Sequence, residues 1–225
     1  GPDMRMLYQY LPVILPNSRY AERLPIGKTE VLESFSHKSL KRFYQDWYRP
    51  DMMAIVAVGD FDLDQMEQQI KDQFSGIPAV EAPKKREYYD IPAHEGMKTA
   101  VVTDPEASRT SIEVMFKHPS KSLETVGDYK NLLMADLYAD MLNARLDELL
   151  QQADPPFAGS YVYYGSFLGD KDAYAMSITA SEDDPARSLE AVLTEQQRVL
   201  QHGFLQSELD RAKKSMLRSM ESAYQ

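Results

Sequence analysis

The sequence predicts an α+β protein in which helices pack on one face of a largely antiparallel sheet. Three observations support this fold class. Apolar residues recur at spacings of three and four over residues 123–152, which is typical of a long helix. Residues 111–117 alternate apolar with polar side chains, which indicates a half-buried strand. Two further strand-like segments, 161–167 and 173–180, flank the turn sequence Gly169-Asp170, which predicts an antiparallel hairpin.

Composition narrows the possible classes of function. The chain has 225 residues, of which 43% are hydrophobic and 27% charged, as in a folded globular protein. A formal net charge of −10 argues against general nucleic-acid binding, because an acidic surface repels phosphates. The absence of cysteine excludes disulfides, thiolate nucleophiles and cysteine-based zinc sites. The longest apolar run, 52–58, is far shorter than the ~20 residues of a membrane span.

The first part of the chain is predicted to alternate helices with one strand. Ser36 and Asp62 are expected N-caps, and Pro50 ends the helix between them. The predicted elements are helices over 4–15, 36–47 and 62–74 and a strand, buried on both faces, over 52–58. The apolar stripes expected to be buried are Leu40, Phe43, Tyr44 and Trp47 on one helix and Leu63, Met66, Ile70 and Phe74 on the other.

A stretch rich in proline, lysine and glutamate, residues 77–92, lacks periodicity and is the best linker candidate. After it we expect a strand over 97–103, then the strand, long helix and hairpin given above. Asp184 and Pro185 predict a helix start and Gly203 its end, followed by a last helix with Leu209, Ala212, Met216 and Met220 inward. The predicted division is 1–78, a linker over 79–92, and 93–225.

Several ordered segments resemble the insulinase/pitrilysin family of zinc metallopeptidases. They are RLPIG at 23–27, LKRFYQDWYRP at 40–50, MAIVAVGDFD at 53–62, NARLDE at 143–148 and QHGFLQSEL at 201–209. Each alone is weak, but their order and number make the resemblance specific, and they extend over nearly the whole chain. The sequence departs from the family pattern at Leu205, where an N-cap Ser or Thr is common, so this helix start should be less well capped.

The resemblance implies an insulinase/mitochondrial-processing-peptidase-like metallohydrolase fold. In such proteins, similar α+β domains pair into halves that close around a peptide. One helix carries an H-x-x-E-H motif whose two histidines, with a distant glutamate, bind zinc. That motif normally precedes the RLPIG-like loop, so residues 1–78 would be the C-terminal part of the first, normally zinc-bearing domain. Residues 93–225 would be the second, non-catalytic domain, which supports the chamber wall.

The residues themselves suggest no catalytic centre. The histidines are His37, His94, His118 and His202, and no two have metal-ligand spacing. We therefore assign no catalytic, metal or cofactor-binding residue to this chain and expect zinc only in the parent protein. Arg145 and Glu148, one helical turn apart, are interpreted as a surface ion pair rather than a binding pair.

The aromatic hairpin and the Pro-Pro segment before it are the candidate contact residues. Tyr161 and Tyr163, with their neighbours Tyr164 and Tyr174, could form a wall of a peptide chamber, or could simply pack as strand residues. Pro156 and Phe157 could touch a partner half, or could simply follow the end of a helix. Both alternatives stay open at this stage.

The leading hypothesis is that the chain is scaffold and chamber wall of a zinc-dependent endopeptidase. The alternative is a catalytically inactive family member that acts as a structural or substrate-holding partner, and an unrelated α+β binding domain is a third interpretation. Expected partners are peptide substrates and the other half of the parent or a homologous subunit, with no nucleic acid and no membrane span. The start Gly1-Pro2-Asp3 suggests a piece of a longer protein. The resemblance to bacterial members of the family implies a periplasmic location.

Overall fold

The computed structural model describes residues 1–181 and 184–224. The described residues divide into two compact units. The first consists of residues 1–21 and the described residues from Asp90 onwards, and the second is Glu22–Tyr89. In chain order the helices and strands are α1 (Pro2–Ile14), α2 (Thr29–Ser34), α3 (His37–Trp47), α4 (Leu63–Phe74), β1 (Ser111–Pro119), α5 (Val126–Leu150), β2 (Phe157–Leu168), β3 (Lys171–Ala180), α6 (Pro185–His202) and α7 (Gln206–Tyr224).

The sheet of the first unit has three antiparallel strands in the order β1-β3-β2. Strands β2 and β3 form the expected hairpin, in which Gly169 adopts a φ of 61° that an L side chain rarely takes. Successive side chains of a strand alternate between the two faces of the sheet. We call the face with Val162 and Met176, which packs against α5 and α6, the helix face, and the opposite face, with Glu113, Ser177 and Tyr161, the far face. The predicted α+β class with a largely antiparallel sheet is therefore what the chain adopts.

The hydrophobic core lies between the helix face and the helices. Helix α5 packs on β2, α6 packs on β2 and β3, and α7 packs on α5. Removing these side chains from water is the main stabilising contribution to the unit. The core consists of Leu142, Leu146, Phe157, Val162, Met176, Ile178, Val192 and Val199.

Local capping signals define the helix ends of this unit. The Thr125 hydroxyl accepts a hydrogen bond from the Asp128 N–H at 3.1 Å, and the Asp128 carboxylate accepts one from the Thr125 N–H at 2.9 Å. Asp184 caps α6, which ends at Gly203 with a φ of 70°. At Leu205, as expected, a capping side chain is lacking, but its N–H donates to Glu208 at 2.6 Å. Helix α7 therefore keeps half of a capping box.

Helix α1 belongs to the same unit and lies by the far face of the sheet. The Lys117 ammonium, on the far face of β1, donates to the Ile14 carbonyl at the end of α1. The Arg5 guanidinium contacts Asp104 at 2.6 Å, and the Ser18 hydroxyl donates to the Asp90 carbonyl at 2.9 Å. The Lys117 contact ties the end of α1 to the sheet, and the other two tie the beginning of the chain to the segments that contain Asp104 and Asp90.

The second unit, Glu22–Tyr89, contains the predicted helices. Ser36 caps α3 and Asp62 caps α4, each accepting from the backbone N–H three residues on. The Arg49 guanidinium donates to the Lys84 carbonyl at 3.0 Å, and the Lys84 ammonium lies 5.6 Å from the Trp47 ring centre. Residue 84, inside the predicted linker, is therefore held against the end of α3, although 77–92 contains no regular helix or strand.

Two predicted strands, residues 52–58 and 97–103, are wrong. Neither segment forms a strand, and Val58 and Val101 are 92% and 94% exposed. A strand is held by a hydrogen-bonded neighbour, and neither segment has one within 1–181 and 184–224. Burial also differs from expectation on the helices: exposed apolar residues include Leu40, Phe43 and Tyr44 of α3, Leu63 and Phe74 of α4, and Met220 of α7.

The compact units do not follow the predicted division of the chain. Residues 1–21 group with the sheet, and the stretch from 79 to Tyr89 groups with α3 and α4 rather than forming a separate linker. The reason is the set of contacts from α1 to the sheet and from Arg49 to Lys84. The assignment of 1–78 and 93–225 to two domains of a parent protein stays a prediction.

Candidate functional site

The histidines are dispersed, and no metal centre can be built from them. Within the described residues, no group of three or more His, Asp or Glu side chains is placed to hold a metal ion. His94 Nδ1 pairs with the Gly96 carbonyl at 3.0 Å, and the His118 ring lies 5.8 Å from that of Tyr164. These side chains do not fit zinc, which needs three or four converging donors. No helix within the same residues is long and apolar enough to cross a membrane.

The most developed polar cluster joins α5, α6 and α7. Arg145 contacts Glu208 at 2.6 Å and Glu195 at 3.0 Å, and its guanidinium lies 4.9 Å from the Phe204 ring centre. Its Nη2 also donates to the Gly203 carbonyl at 3.2 Å. The expected Arg145–Glu148 pair is wrong, because Arg145 points to the helix interface and finds partners on two other helices.

Burial makes this cluster important for the fold. Glu195 is 6% exposed, so its charge depends for compensation on Arg145 and on Arg198, which contacts it at 3.1 Å. Hydrogen bonds from Arg145 hold the pKa of Glu208 at about 2. The carboxylates of Glu208 and Glu195 in turn raise the pKa of Arg145. The Arg145 guanidinium donates four hydrogen bonds to Glu195, Glu208 and the Gly203 carbonyl, which indicates a structural role. Sequence reasoning missed Glu195 and Glu208 because they are 50 and 63 residues away.

The four tyrosines of the hairpin separate onto the two faces of the sheet. Tyr174 opposes Tyr164 in the register, on the helix face. The Tyr174 ring packs at 6.3 Å from that of Tyr138, and burial raises the pKa of its hydroxyl. Tyr164 stands 5.6 Å from the Lys121 ammonium and close to His118. These two tyrosines pack with residues of their own unit.

Tyr161 and Tyr163 lie on the far face, where their rings stack at 6.4 Å with planes inclined by 18°. Tyr161 is 59% exposed. The register places Glu113, Ser177 and Tyr161 side by side across the three strands, with Met115, Ala175 and Tyr163 in the next row. The two predicted contact tyrosines are thus together, on a surface with an acidic side chain across it.

Glu113 influences the groups around it electrostatically. Burial raises the pKa of Tyr163, and the Glu113 carboxylate raises it further. The same two causes, burial first and then Glu113, raise the pKa of Tyr10 of α1. Asp3 of α1 adds to the effect on Tyr10. Desolvation raises the pKa of Glu113 itself, because nearby groups displace water from its carboxyl. The far face therefore presents carboxylates and tyrosine rings together.

Pro156 and Phe157 are both buried. A shift in register between Phe157 and Gly159 lets the Phe157 ring, 1% exposed, enter the core, while Tyr161 and Tyr163 stay on the far face. The Pro156 carbonyl accepts from the Ser188 hydroxyl at 2.7 Å. In this structure neither side chain is presented to a partner, and sequence alone gives no sign of such a bulge.

Comparison with known proteins agrees with this arrangement. Residues 34–216 match the family described as "Peptidase M16 inactive domain". A protein of Arabidopsis thaliana named "Zinc protease PQQL-like" is 31% identical over 98% of this chain and 20% of its own length. "Probable zinc protease PqqL" of Escherichia coli is 25% identical over 94% of this chain and 23% of its own length. The chain thus spans about a fifth to a quarter of these relatives.

A solved structure agrees with the fold over almost the whole chain. The first half of the periplasmic protease PqqL from Escherichia coli superposes with a TM-score of 0.86, at 24% identity, over 99% of this chain and 48% of that chain. Within the family match lie α3, α4, the sheet, α5 and α6. The fold is thus that of insulinase-type peptidases, and the chain belongs to the peptidase M16 inactive domain family.

Proposed function

We propose that this chain is a non-catalytic, supporting portion of a zinc-dependent endopeptidase, in which it forms part of the wall of a peptide-holding chamber. The observation that carries the proposal is the family match over 34–216 in a chain whose described residues lack a metal-ligand cluster. Relatives named zinc proteases, four to five times longer than the matched segment, support the idea that zinc is held elsewhere in such a protein.

The structure of the first unit suits a wall. Helices α5 and α6 pack on one face of the sheet, α7 packs on α5, and the Arg145 cluster joins the three helices. Such packing keeps a surface in a fixed shape. The far face carries the exposed Tyr161 and the acidic Glu113, side chains that can contact an extended peptide. Helices α5 and α6 and the exposed side chains of the far face thus lie on opposite sides of one sheet, with α1 beside the far face.

The partners follow from the same proposal. A structure of a protease half covers this chain almost completely, which supports a second half, or a homologous subunit, as the partner that completes the chamber. Peptides are the substrates. The periplasm is the proposed location, because the matched Escherichia coli protease is described as periplasmic.

A second candidate function is a structural or substrate-holding role in a catalytically inactive family member. The description of the matched family as an inactive domain favours it. The two candidates make opposite predictions about the polypeptide that contains this chain. Only the endopeptidase has an intact H-x-x-E-H motif, and only it loses peptide cleavage when a chelator removes zinc.

A cleavage assay tests the proposal. The polypeptide containing this chain and the chain alone are incubated with a library of quenched fluorescent peptides, with and without a zinc chelator. We expect chelator-sensitive cleavage by the former and none by the latter. Cleavage by the chain alone would overturn the proposal, and absence of chelator-sensitive cleavage by the longer polypeptide would favour the inactive member.

A further inference from the structure

We propose that the far face of the sheet binds the cationic side chain of an extended peptide in the space bounded by Glu113, Ser177 and Tyr161. This inference rests on the proposed function and narrows it, from peptides in general to peptides with an arginine or lysine at the bound position. Glu113, Ser177, Tyr161 and Tyr163 are called the acidic tyrosine patch below.

The register of the sheet creates the space. Glu113 pairs with Ser177, and Ser177 pairs with Tyr161, so the acidic and aromatic side chains stand on opposite sides of a small one. Neighbouring strands are about 4.8 Å apart, which separates the Glu113 and Tyr161 backbones by about 10 Å. Glu113 and Ser177 are exposed, and Tyr161 is 59% exposed. A guanidinium or ammonium group above Ser177 would therefore reach both flanking side chains.

The chemistry of the flanking groups is suited to a cation. A positive group is attracted to the face of an aromatic ring within about 6 Å, and Tyr161 and Tyr163 present a stacked pair of rings. Within the described residues, no ion pair or hydrogen bond involves the Glu113 carboxylate, although its surroundings already raise its pKa. A partly desolvated carboxylate without a partner is stabilised when a cation binds next to it, because the cation replaces the interactions with water that desolvation removed.

The charges around the patch reinforce this preference. Asp3 and Tyr10 of α1 interact with the same region, since Asp3 and Glu113 both act on the Tyr10 hydroxyl. The basic residue on the far face of β1, Lys117, donates to the Ile14 carbonyl. A net charge of −10 also draws cationic peptides toward the protein.

The test is a binding titration of the full chain with a blocked fluorescent peptide, Ala-Ala-Arg-Ala-Ala, and its citrulline counterpart, which keeps the shape but lacks the charge. We expect the arginine peptide to bind roughly tenfold more tightly, and the difference to shrink in high salt. Glu113→Gln and Tyr161→Leu should each remove most of the preference. Glu148→Gln and Tyr224→Leu, which change exposed residues elsewhere, are the matched controls.

The outcomes separate this inference from the proposed function. Equal affinity for both peptides, or an arginine preference that survives Glu113→Gln, overturns the patch while leaving the cleavage assay to decide the proposed function. Absence of binding by either peptide also overturns the patch. Thermal unfolding of each variant, expected to match that of the parent chain, shows that lost binding is not lost folding.

Discussion

The two compact units carry similar local signals and differ in burial. Capped helices form in both, as α3 and α4 in one and α5 and α6 in the other. Yet every core residue belongs to the unit with the sheet, whereas between Glu22 and Tyr89 the only buried residue is Arg49. The difference shows that a cap and a periodic pattern suffice to start a helix, while burial and strand pairing depend on a neighbouring layer.

The largest effect is expected at the Arg145 cluster of the sheet unit. Arg145→Ala removes the cation paired with Glu208 and one of the two cations paired with Glu195, and removing one partner of a buried ion pair costs about 3–5 kcal/mol. Urea unfolding monitored by circular dichroism measures the loss, with the exposed Arg218→Ala as control. A loss below about 1 kcal/mol would show that the cluster is not structural.

A matched pair of leucines contrasts the two units directly. Leu142→Ala removes a fully buried side chain from α5 and should cost about 2–5 kcal/mol, from lost burial and the cavity that remains. Leu63→Ala removes a side chain of α4 that is 78% exposed, and should change stability by about 0.5 kcal/mol or less. Equal losses in urea unfolding would contradict the contrast between the units.

A smaller and progressive effect is expected on acidification. The pKa of Glu208 is about 2 in the folded chain, below its usual value, so its carboxylate stabilises the fold above about pH 4.5. That contribution is lost as pH falls from about 4.5 toward 2, because protonation breaks its hydrogen bonds to Arg145. The difference in unfolding free energy between the parent chain and Glu208→Gln should therefore shrink over this range. A constant difference would contradict the assignment.

The smallest effects concern the caps, which should be similar in both units. Thr125→Ala and Ser36→Ala each delete a hydroxyl that accepts a backbone N–H at the helix start, at a cost of about 1 kcal/mol. Hydrogen exchange of the first turns of α5 and α3 measures the local opening. Faster exchange in α5 alone would show that the α3 cap does not act as the sequence indicates.

The parts of the fold predicted correctly depend on nearby residues. The caps at Ser36, Asp62 and Asp184, the stop at Gly203 and the hairpin turn at Gly169 are each encoded within a few positions. The incorrect strand at 52–58 had a strand-like composition but no partner, and composition cannot supply one. The same limit explains why residues 1–21 were not assigned to the sheet unit.

The candidate site was predictable only in part, for a related reason. Tyr161 and Tyr163 were recognisable from alternation, because residues two apart in a strand share a face. Glu113 was not recognisable, since it belongs to β1 and comes close to Tyr161 and Tyr163 of β2 only because both strands pair with β3. Phe157 was misleading, because the bulge after it turns its ring into the core. Likewise, Arg145 has a partner in the sequence nearby, but its true partners come from α6 and α7.

We propose that this chain supports a zinc peptidase without holding the metal itself. The most direct test of this proposal is the zinc content of the purified chain, measured by mass spectrometry after incubation with zinc and extensive dialysis. We expect far less than one zinc per chain, with no change when His37, His94, His118 and His202 are replaced together. One tightly held zinc per chain, lost on those replacements, would contradict it.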